Sequence, residues 1–195
     1  MRQVMRVALA LSVGLAATAL GTATEAAGHP AAGSEQGNST ANLPGAEQDA
    51  DFVHEASALL PAEIEISRLG TVKGTDPQVV ALSREMAESY AALSRELSDV
   101  AKAQGLVLAA EEDPHGENRL SHLAQPDPQF DLTYLDEQAA LHRKLITLYA
   151  MEGRASLQAL LREHAEEGRA VLTKNLAEIQ QLEHRLREVR LTPGH

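Results

Sequence analysis

The sequence predicts an all-α protein, an antiparallel four-helix bundle with a short extra helix in its middle connection. From Asp49 onward the chain is rich in Ala, Leu, Glu, Gln and Arg and contains few β-branched runs, which favours helix over strand. Apolar residues recur at spacings of three and four, as they do along one face of a helix. There are four such stretches of bundle length, and four amphipathic helices pack most simply as two hairpins.

Residues 1–26 have the order of a secretory signal: two arginines near the start, an apolar stretch from Val7 to Leu20, and small residues after it. The apolar stretch is shorter than the about 20 residues that a membrane span needs. We therefore expect cleavage between Ala23 and Ala27, a periplasmic or secreted protein, and no transmembrane segment once the signal is removed.

The rest of the chain divides into a tether, a folded domain and a tail. Residues 27–48 are mostly Gly, Ala, Pro, Ser, Gln and Glu, and this low apolar content predicts a flexible tether. Residues 49–190 carry the helical pattern and form the predicted bundle domain. Residues 191–195 form the predicted C-terminal tail.

Composition excludes several classes of site. With no cysteine among 195 residues there can be no disulfide, no thiolate nucleophile and no Cys-ligated metal. The net charge is −11, and it becomes −12 without the signal, which carries Arg2 and Arg6 against Glu25. An acidic chain lacks the basic face that binds phosphates, so nucleic acid is not an expected partner. No nucleophilic serine elbow or glycine-rich phosphate loop is present.

The first two helices are predicted on either side of a proline turn. The first covers about residues 49–72, and Pro61 is expected to kink it. Residues 75–77 have the order of an N-cap followed by proline, and they open a second helix that ends at Gln104, before Gly105. The predicted inward faces are Phe52, Ala56, Leu59, Glu63, Ile66 and Gly70 in the first helix and Val79, Ser83, Met86, Tyr90, Leu93, Leu97 and Val100 in the second.

The second half of the chain is predicted to form a second helical hairpin, preceded by a short helix. A short helix is predicted over about residues 117–124, a third long helix from the Asp127-Pro128 cap signal to about Gly153, and a fourth over about residues 154–189. His184 and His164, on the fourth helix, are expected to be semi-exposed and too far apart to share an ion. The predicted inward faces are Phe130, Tyr134, Gln138, Leu141, His142, Leu145 and Leu148 in the third helix and Leu157, Leu160, Leu161, His164, Ala165, Gly168, Leu172, Asn175, Ile179, Leu182 and Leu186 in the fourth.

Short segments spread over these helices form a recognisable set. They are Phe52-Val53, Ala62-Glu63-Ile64-Glu65, Lys73 with Asp76-Pro77, Met86, and Phe130-Asp131 with Tyr134 and His142. Together they resemble the exported Domain of Unknown Function 4142 family over about residues 50–187. The resemblance implies a ferritin-like four-helix bundle, usually bacterial and exported, with no established activity.

The chain departs from the pattern of that family at two places. The family typically carries an Asp-His pair in its second helix, where this chain has Ser89 and Tyr90, and a histidine in its last helix, where this chain has Asn175. His142 and Glu63 match the pattern. If the resemblance implies a metal or proton-transfer site at the centre of the bundle, two of its imidazoles are missing here.

Each long helix contributes polar residues at or near the predicted inward face. These residues are Glu63, Tyr90, Gln138, His142 and Asn175. Burying them without partners costs several kcal/mol, so they form a hydrogen-bonded network that fixes helix register, lie exposed at helix edges, or form a degenerate ion site. We favour the network, with Glu63 and His142 on facing surfaces and close enough to interact directly or through one water.

Glu63 and His142 are also the candidate metal ligands, although we expect no tightly bound metal and no cofactor. A di-iron or di-manganese site in a bundle uses Glu-x-x-His pairs. In this chain that spacing occurs only from Glu112 to His115, in a proline turn that cannot face a bundle core.

Three functions remain in competition. The leading hypothesis is a noncatalytic exported helical module that contributes to envelope homeostasis or stress tolerance through contacts with another protein or with itself. The alternative is a ferritin-like oxidoreductase or carrier that binds iron or manganese through Glu63, His142 and their neighbours. The third is a periplasmic small-molecule binder that uses a cavity in the bundle.

Overall fold

The computed structural model describes residues 44–191, which are helical apart from short connections. The helices are α1 (Pro44–Lys73), α2 (Pro77–Gln104), α3 (Pro114–Ala124), α4 (Phe130–Ala155) and α5 (Ala159–Leu191). The predicted all-α fold, with four long helices and a short one in the middle connection, is confirmed for this part of the chain. The predicted signal, the tether up to residue 43 and residues 192–195 of the tail lie outside the described residues.

The four long helices form two hairpins that pack side by side. α1 packs against α2 and α4 against α5, while α2 also contacts α5 and α1 contacts α4. Gln48 at the start of α1 is hydrogen-bonded to Glu152 near the end of α4, and Thr75 after the end of α1 is hydrogen-bonded to Asp131 at the start of α4. These two contacts make α1 and α4 antiparallel. The short helix α3 lies against α1.

The cap signals place both ends of α2 as predicted. The Asp76 carboxylate accepts hydrogen bonds from the backbone N–H groups of Gln78 and Val79. Gly105 ends the helix in the left-handed conformation with φ of 68°, which a residue without a Cβ adopts without strain.

α1 begins earlier than predicted, at Pro44, within the segment assigned to the tether. The reason is tertiary, because the first turns of α1 lie against the connection between α4 and α5. A Cβ on Gly45 would be 3.0 Å from the Leu157 side chain, and Asp49 is buried. These contacts offset the entropy of ordering a segment whose composition alone predicts flexibility. α1 then continues as one helix through Pro61.

The turn between α4 and α5 lies later than predicted. α4 continues through Gly153 to Ala155, and α5 starts at Ala159. Ser156 makes the turn, since its hydroxyl accepts from the Gln158 N–H at 3.2 Å. Two predicted inward positions are therefore wrong: the side chains at the turn, Leu157 and Leu160, are 69% and 47% exposed.

α3 and α4 also start at other residues than predicted. α3 starts at Pro114 itself, with Asp113 as its N-cap. α4 starts at Phe130 rather than at the Asp127-Pro128 signal. The Asp127 carboxylate accepts from the Gln129 N–H and the Thr133 hydroxyl, so this cap residue holds a turn that precedes the helix.

Two glycines make room for tyrosines in the core. A Cβ on Gly70 would lie 2.6 Å from the Tyr134 ring, and a Cβ on Gly168 would overlap the Tyr149 ring. Both tyrosines are fully buried. Large aromatic rings therefore fill the bundle where a neighbouring helix presents no side chain.

No helix within residues 44–191 combines the length and the apolar character that crossing a membrane requires.

Candidate functional site

Four of the five predicted core polar residues form one buried hydrogen-bonded chain at the centre of the bundle. Glu63 on α1, Tyr90 on α2, and Gln138 and His142 on α4 are each at most 1% exposed. Each lies on the apolar face of its helix, so helix packing removes all four from water together.

The hydrogen bonds of His142 determine its tautomer. Its Nδ1 lies 2.7 Å from the backbone carbonyl oxygen of Gln138, which can only accept, so Nδ1 carries the proton. Its Nε2 therefore accepts from the Tyr90 hydroxyl, at 2.7 Å. Both ring nitrogens of the neutral imidazole have partners.

Both carboxylate oxygens of Glu63 are also paired. Oε1 accepts from Arg119 Nη2 at 2.8 Å, and Oε2 accepts from the Gln138 side-chain amide at 3.3 Å. The described hydrogen bonds thus join Glu63 to His142 through Gln138, whose amide contacts the carboxylate and whose carbonyl contacts the imidazole.

Arg119 belongs to this candidate site, although the sequence does not predict it there. It lies on α3, which the sequence predicts only as a short helix in the middle connection. Its side chain is 21% exposed and reaches the fully buried carboxylate of Glu63. The close packing of α3 on α1, where Gly116 lies against Ala62, brings it there. Only the crossing of two helices places this cation, and no spacing within the chain indicates it.

The fifth predicted residue, Asn175 on α5, is buried beside this chain of hydrogen bonds. It is 3% exposed, and its amide nitrogen has no hydrogen-bond partner. Burial raises the pKa of Tyr90 well above its ordinary value, and the nearby Asn175 side chain opposes that shift. Gln138 Oε1 is likewise buried without a partner.

Burial controls the charges of this network. It raises the pKa of Glu63 to about 7, outweighing the opposite effects of Arg119 and Gln138. It lowers the pKa of His142 to about 4, against the smaller effect of the bond to the Gln138 carbonyl. His142 is therefore neutral at pH 7, in agreement with its tautomer, while Glu63 titrates near neutrality.

The donor atoms that a metal would need are already engaged. An ion at His142 would have to displace the Tyr90 hydroxyl from Nε2, and an ion at Glu63 would have to displace Arg119 or Gln138. Tyr90 and Asn175 supply only weak oxygen or amide donors where imidazoles would bind a transition metal. The residues present therefore fit a transition-metal ion poorly. In residues 44–191, no three His, Asp or Glu side chains lie together in a way that could hold a metal.

The prediction that His164 is semi-exposed is wrong. It is 4% exposed and packs against the rings of Phe52 and Tyr149, at centroid distances of 6.5 and 5.8 Å. Burial lowers its pKa to about 4. The later position of the α4–α5 turn is not the cause of this burial, because His164 already belongs to the predicted inward face of the fourth helix. Helix packing covers its side chain. The side chain of His184 is 75% exposed.

The Phe130-Asp131 segment has a structural role at the end of the bundle. The Asp131 carboxylate accepts from the backbone N–H groups of Thr75 and Asp76 and from the Thr75 hydroxyl. The Lys73 ammonium donates to two carbonyls at the end of α3 and lies 4.8 Å from the Phe130 ring centroid. These residues join the end of α1 to three other helices.

A third polar cluster lies at the opposite end. Asp49 on α1 and Glu152 on α4 are buried together, near Gln48 and Ser156. The sequence does not predict this pair, because it places Asp49 at the very start of the bundle and Glu152 next to a turn.

The fold and this site define a helical bundle with a buried hydrogen-bonded polar core, and the comparisons identify its family and a structure of similar fold. The family model for the Domain of unknown function (DUF4142) matches residues 34–182, so the chain belongs to this family. A crystal structure of a DUF305 fragment from Deinococcus radiodurans is similar in fold, with a TM-score of 0.64 and 12% identity over 73% of this chain and 99% of that chain. No curated protein matches the sequence.

Proposed function

We propose that this protein is a noncatalytic, exported helical module that acts through contacts with another protein or with itself, in envelope homeostasis or stress tolerance. In this proposal the central polar residues set the register of the four long helices and bind no metal. The proposed role in protein contacts depends on the folded bundle and not on any single site residue.

The observation that supports this proposal is that the polar side-chain atoms of Glu63 and of His142 are all hydrogen-bonded within the protein. All four of their side-chain donor and acceptor atoms are bonded to protein groups, at distances from 2.7 to 3.3 Å. A catalytic or metal-binding residue needs a lone pair or proton that faces a substrate or an ion. In a network that fixes helix register these atoms are instead bonded to other protein groups, as they are in Glu63 and His142.

Elemental analysis of the protein, purified and dialysed after loading with iron or manganese, tests the proposal. We expect substoichiometric metal in the native protein and in His142→Ala alike. Tyr90→Phe is the matched variant, because it frees the Nε2 lone pair of His142 without removing the imidazole.

Stoichiometric iron or manganese that survives dialysis in the native protein and is lost in His142→Ala would overturn the proposal in favour of a carrier or oxidoreductase. Metal gained only in Tyr90→Phe would support it, because it would show that the native hydroxyl excludes the ion.

The export part of the proposal rests on residues 1–26 and has its own test. N-terminal sequencing of the protein from an expressing cell should give a first residue between Ala23 and Ala27, in the periplasmic or secreted fraction. Recovery of Met1 from the membrane fraction would show that the segment is an anchor.

A further inference from the structure

Two buried carboxyl groups join the first turns of α1 to the last turn of α4. Asp49 and Glu152 are 2% and 1% exposed. Glu152 Oε2 accepts from Gln48 Nε2 at 3.2 Å, and the Asp49 carboxyl group is close enough to act on that of Glu152. Asp49 Oδ1 and Glu152 Oε1 have no donor among the described groups.

Two carboxylates in contact and out of water repel each other, and neither can be solvated. One proton held between them replaces this repulsion with a hydrogen bond, as in other carboxyl dyads. It also supplies the donor that the unpartnered oxygens lack.

We propose that Asp49 and Glu152 share one proton and so form a pH-dependent latch that holds the first turns of α1 against the α4–α5 turn. This inference does not depend on the proposed function, because it concerns only the contact between α1 and α4.

The charged and titratable groups around the latch come from three helices. On α5, Arg162 donates to the Ser156 carbonyl at 2.9 Å, His164 packs on Phe52 and Tyr149, and Glu166 contacts Gly153. Glu47 on α1 and Arg154 on α4 are exposed beside the pair in sequence. The groups that act on the Glu152 carboxyl directly are Gln48, Asp49 and Ser156.

The direction of the pH effect follows from proton linkage. Burial, aided by Asp49, raises the pKa of Glu152 from 4.5 to about 7. Between these values the closed latch binds more protons than the open one, so closure weakens as the pH rises and levels off above pH 7. One proton per closure corresponds to roughly a tenfold change in the closing equilibrium for each pH unit.

An open latch would uncover apolar surface at this end of the bundle. Leu157, against which Gly45 packs, is already 69% exposed, and Met151 is 58% exposed. Release of the first turns of α1 would extend this surface.

Hydrogen exchange of the full chain between pH 5 and pH 8, expressed as protection factors corrected for intrinsic rates, tests the latch. We expect protection of residues 44–52 to fall roughly tenfold per pH unit up to about pH 7, relative to residues 82–97 of α2, and to stay constant above it. Glu152→Gln should remove the slope, because a neutral amide cannot ionise. Glu47→Gln, an exposed change in the same turn, should leave the slope intact.

Asp49→Asn is the second variant, in case Glu152→Gln fails to close the latch at any pH. It keeps a hydrogen-bonding group beside Glu152 and removes the like charge, so the slope should become shallower while protection is retained. A flat profile in the native protein, or an unchanged slope in Asp49→Asn, would overturn the proposal. So would protection at pH 8 that rises with millimolar Ca²⁺ in the native protein but not in Asp49→Asn, since the pair would then hold a cation.

Discussion

At the scale of single residues, the central feature is that a histidine with both nitrogens bonded is held neutral inside a helical bundle. His142 links α4 to Tyr90 on α2, and its own backbone turn supplies the second bond through Gln138. Removing one member of the network costs more stability than its own hydrogen bond contributes, because its buried partners are left unsatisfied.

We predict that His142→Ala lowers the free energy of unfolding by roughly 1–3 kcal/mol, because the buried Tyr90 hydroxyl and Gln138 carbonyl each lose a partner. Urea denaturation followed by circular dichroism measures this change. His184→Ala is the control, since the side chain of His184 is 75% exposed and its loss should change stability by less than about 0.5 kcal/mol. Equal effects of the two changes would contradict a buried network.

At the scale of helices, the polar contacts that matter most join the end of one helix to the start of another. Asp131, in the first turn of α4, accepts from the backbone that leads into α2. Asp76 caps α2 itself and also accepts from Arg185 at 3.0 Å. A side chain on one hairpin therefore stabilises the start of a helix in the other.

We predict that Asp131→Ala destabilises the protein by roughly 1.5–3 kcal/mol, because three hydrogen bonds to a charged acceptor are lost at a half-buried helix start. Thermal and urea unfolding measure the loss. Asp127→Ala is the matched control, since Asp127 makes two hydrogen bonds within a single segment at a less buried position, and it should cost clearly less. A larger loss for Asp127→Ala would refute the role given to Asp131.

Helix packing also explains why a poor helix former stands in the middle of α5. We predict that Gly168→Ala destabilises the protein by about 1–3 kcal/mol, although alanine favours an isolated helix by about 1 kcal/mol. The added methyl group would overlap the buried ring of Tyr149.

Gly153→Ala is the control for that prediction. A Cβ there would lie 3.2 Å from the flexible Glu166 side chain, which can move aside. It should leave stability unchanged or raise it. Calorimetry of both variants decides, and stabilisation by Gly168→Ala would show that α4 and α5 do not approach as described.

At the scale of the whole molecule, the buried glutamates and the buried histidines have opposite effects on the stability of the fold as the pH changes. Burial raises the pKa values of Glu63 and Glu152 to about 7 and lowers those of His142 and His164 to about 4. As the pH falls from 7 to 4.5, proton uptake by the glutamates stabilises the fold. As it falls from 6.5 to 4, protonation of the histidines favours the unfolded chain.

We predict that His164→Gln makes the fold less sensitive to acid. The stability lost between pH 6.5 and pH 4 should decrease by at most about 1.4 kcal/mol per pH unit, because one group that protonates only on unfolding is removed. Urea unfolding at a series of pH values measures the slope. His184→Gln should leave it unchanged, and an equal effect of both variants would show that His164 is not buried.

The sequence by itself determined the helices and the faces they bury, because both depend on local propensity and on spacing along one chain. The inward positions of Glu63, Tyr90, Gln138, His142 and Asn175 follow from that spacing, as do the cap at Asp76 and the stop at Gly105.

Only the tertiary structure decided how those faces meet. The pairing of Arg119 with Glu63, the Asp49–Glu152 contact and the early start of α1 each depend on segments that lie far apart in the chain. The energies of these contacts come from desolvation and from partners on other helices. Periodicity within one helix shows which face is buried, but it carries no information about which residue of another helix will cover that face.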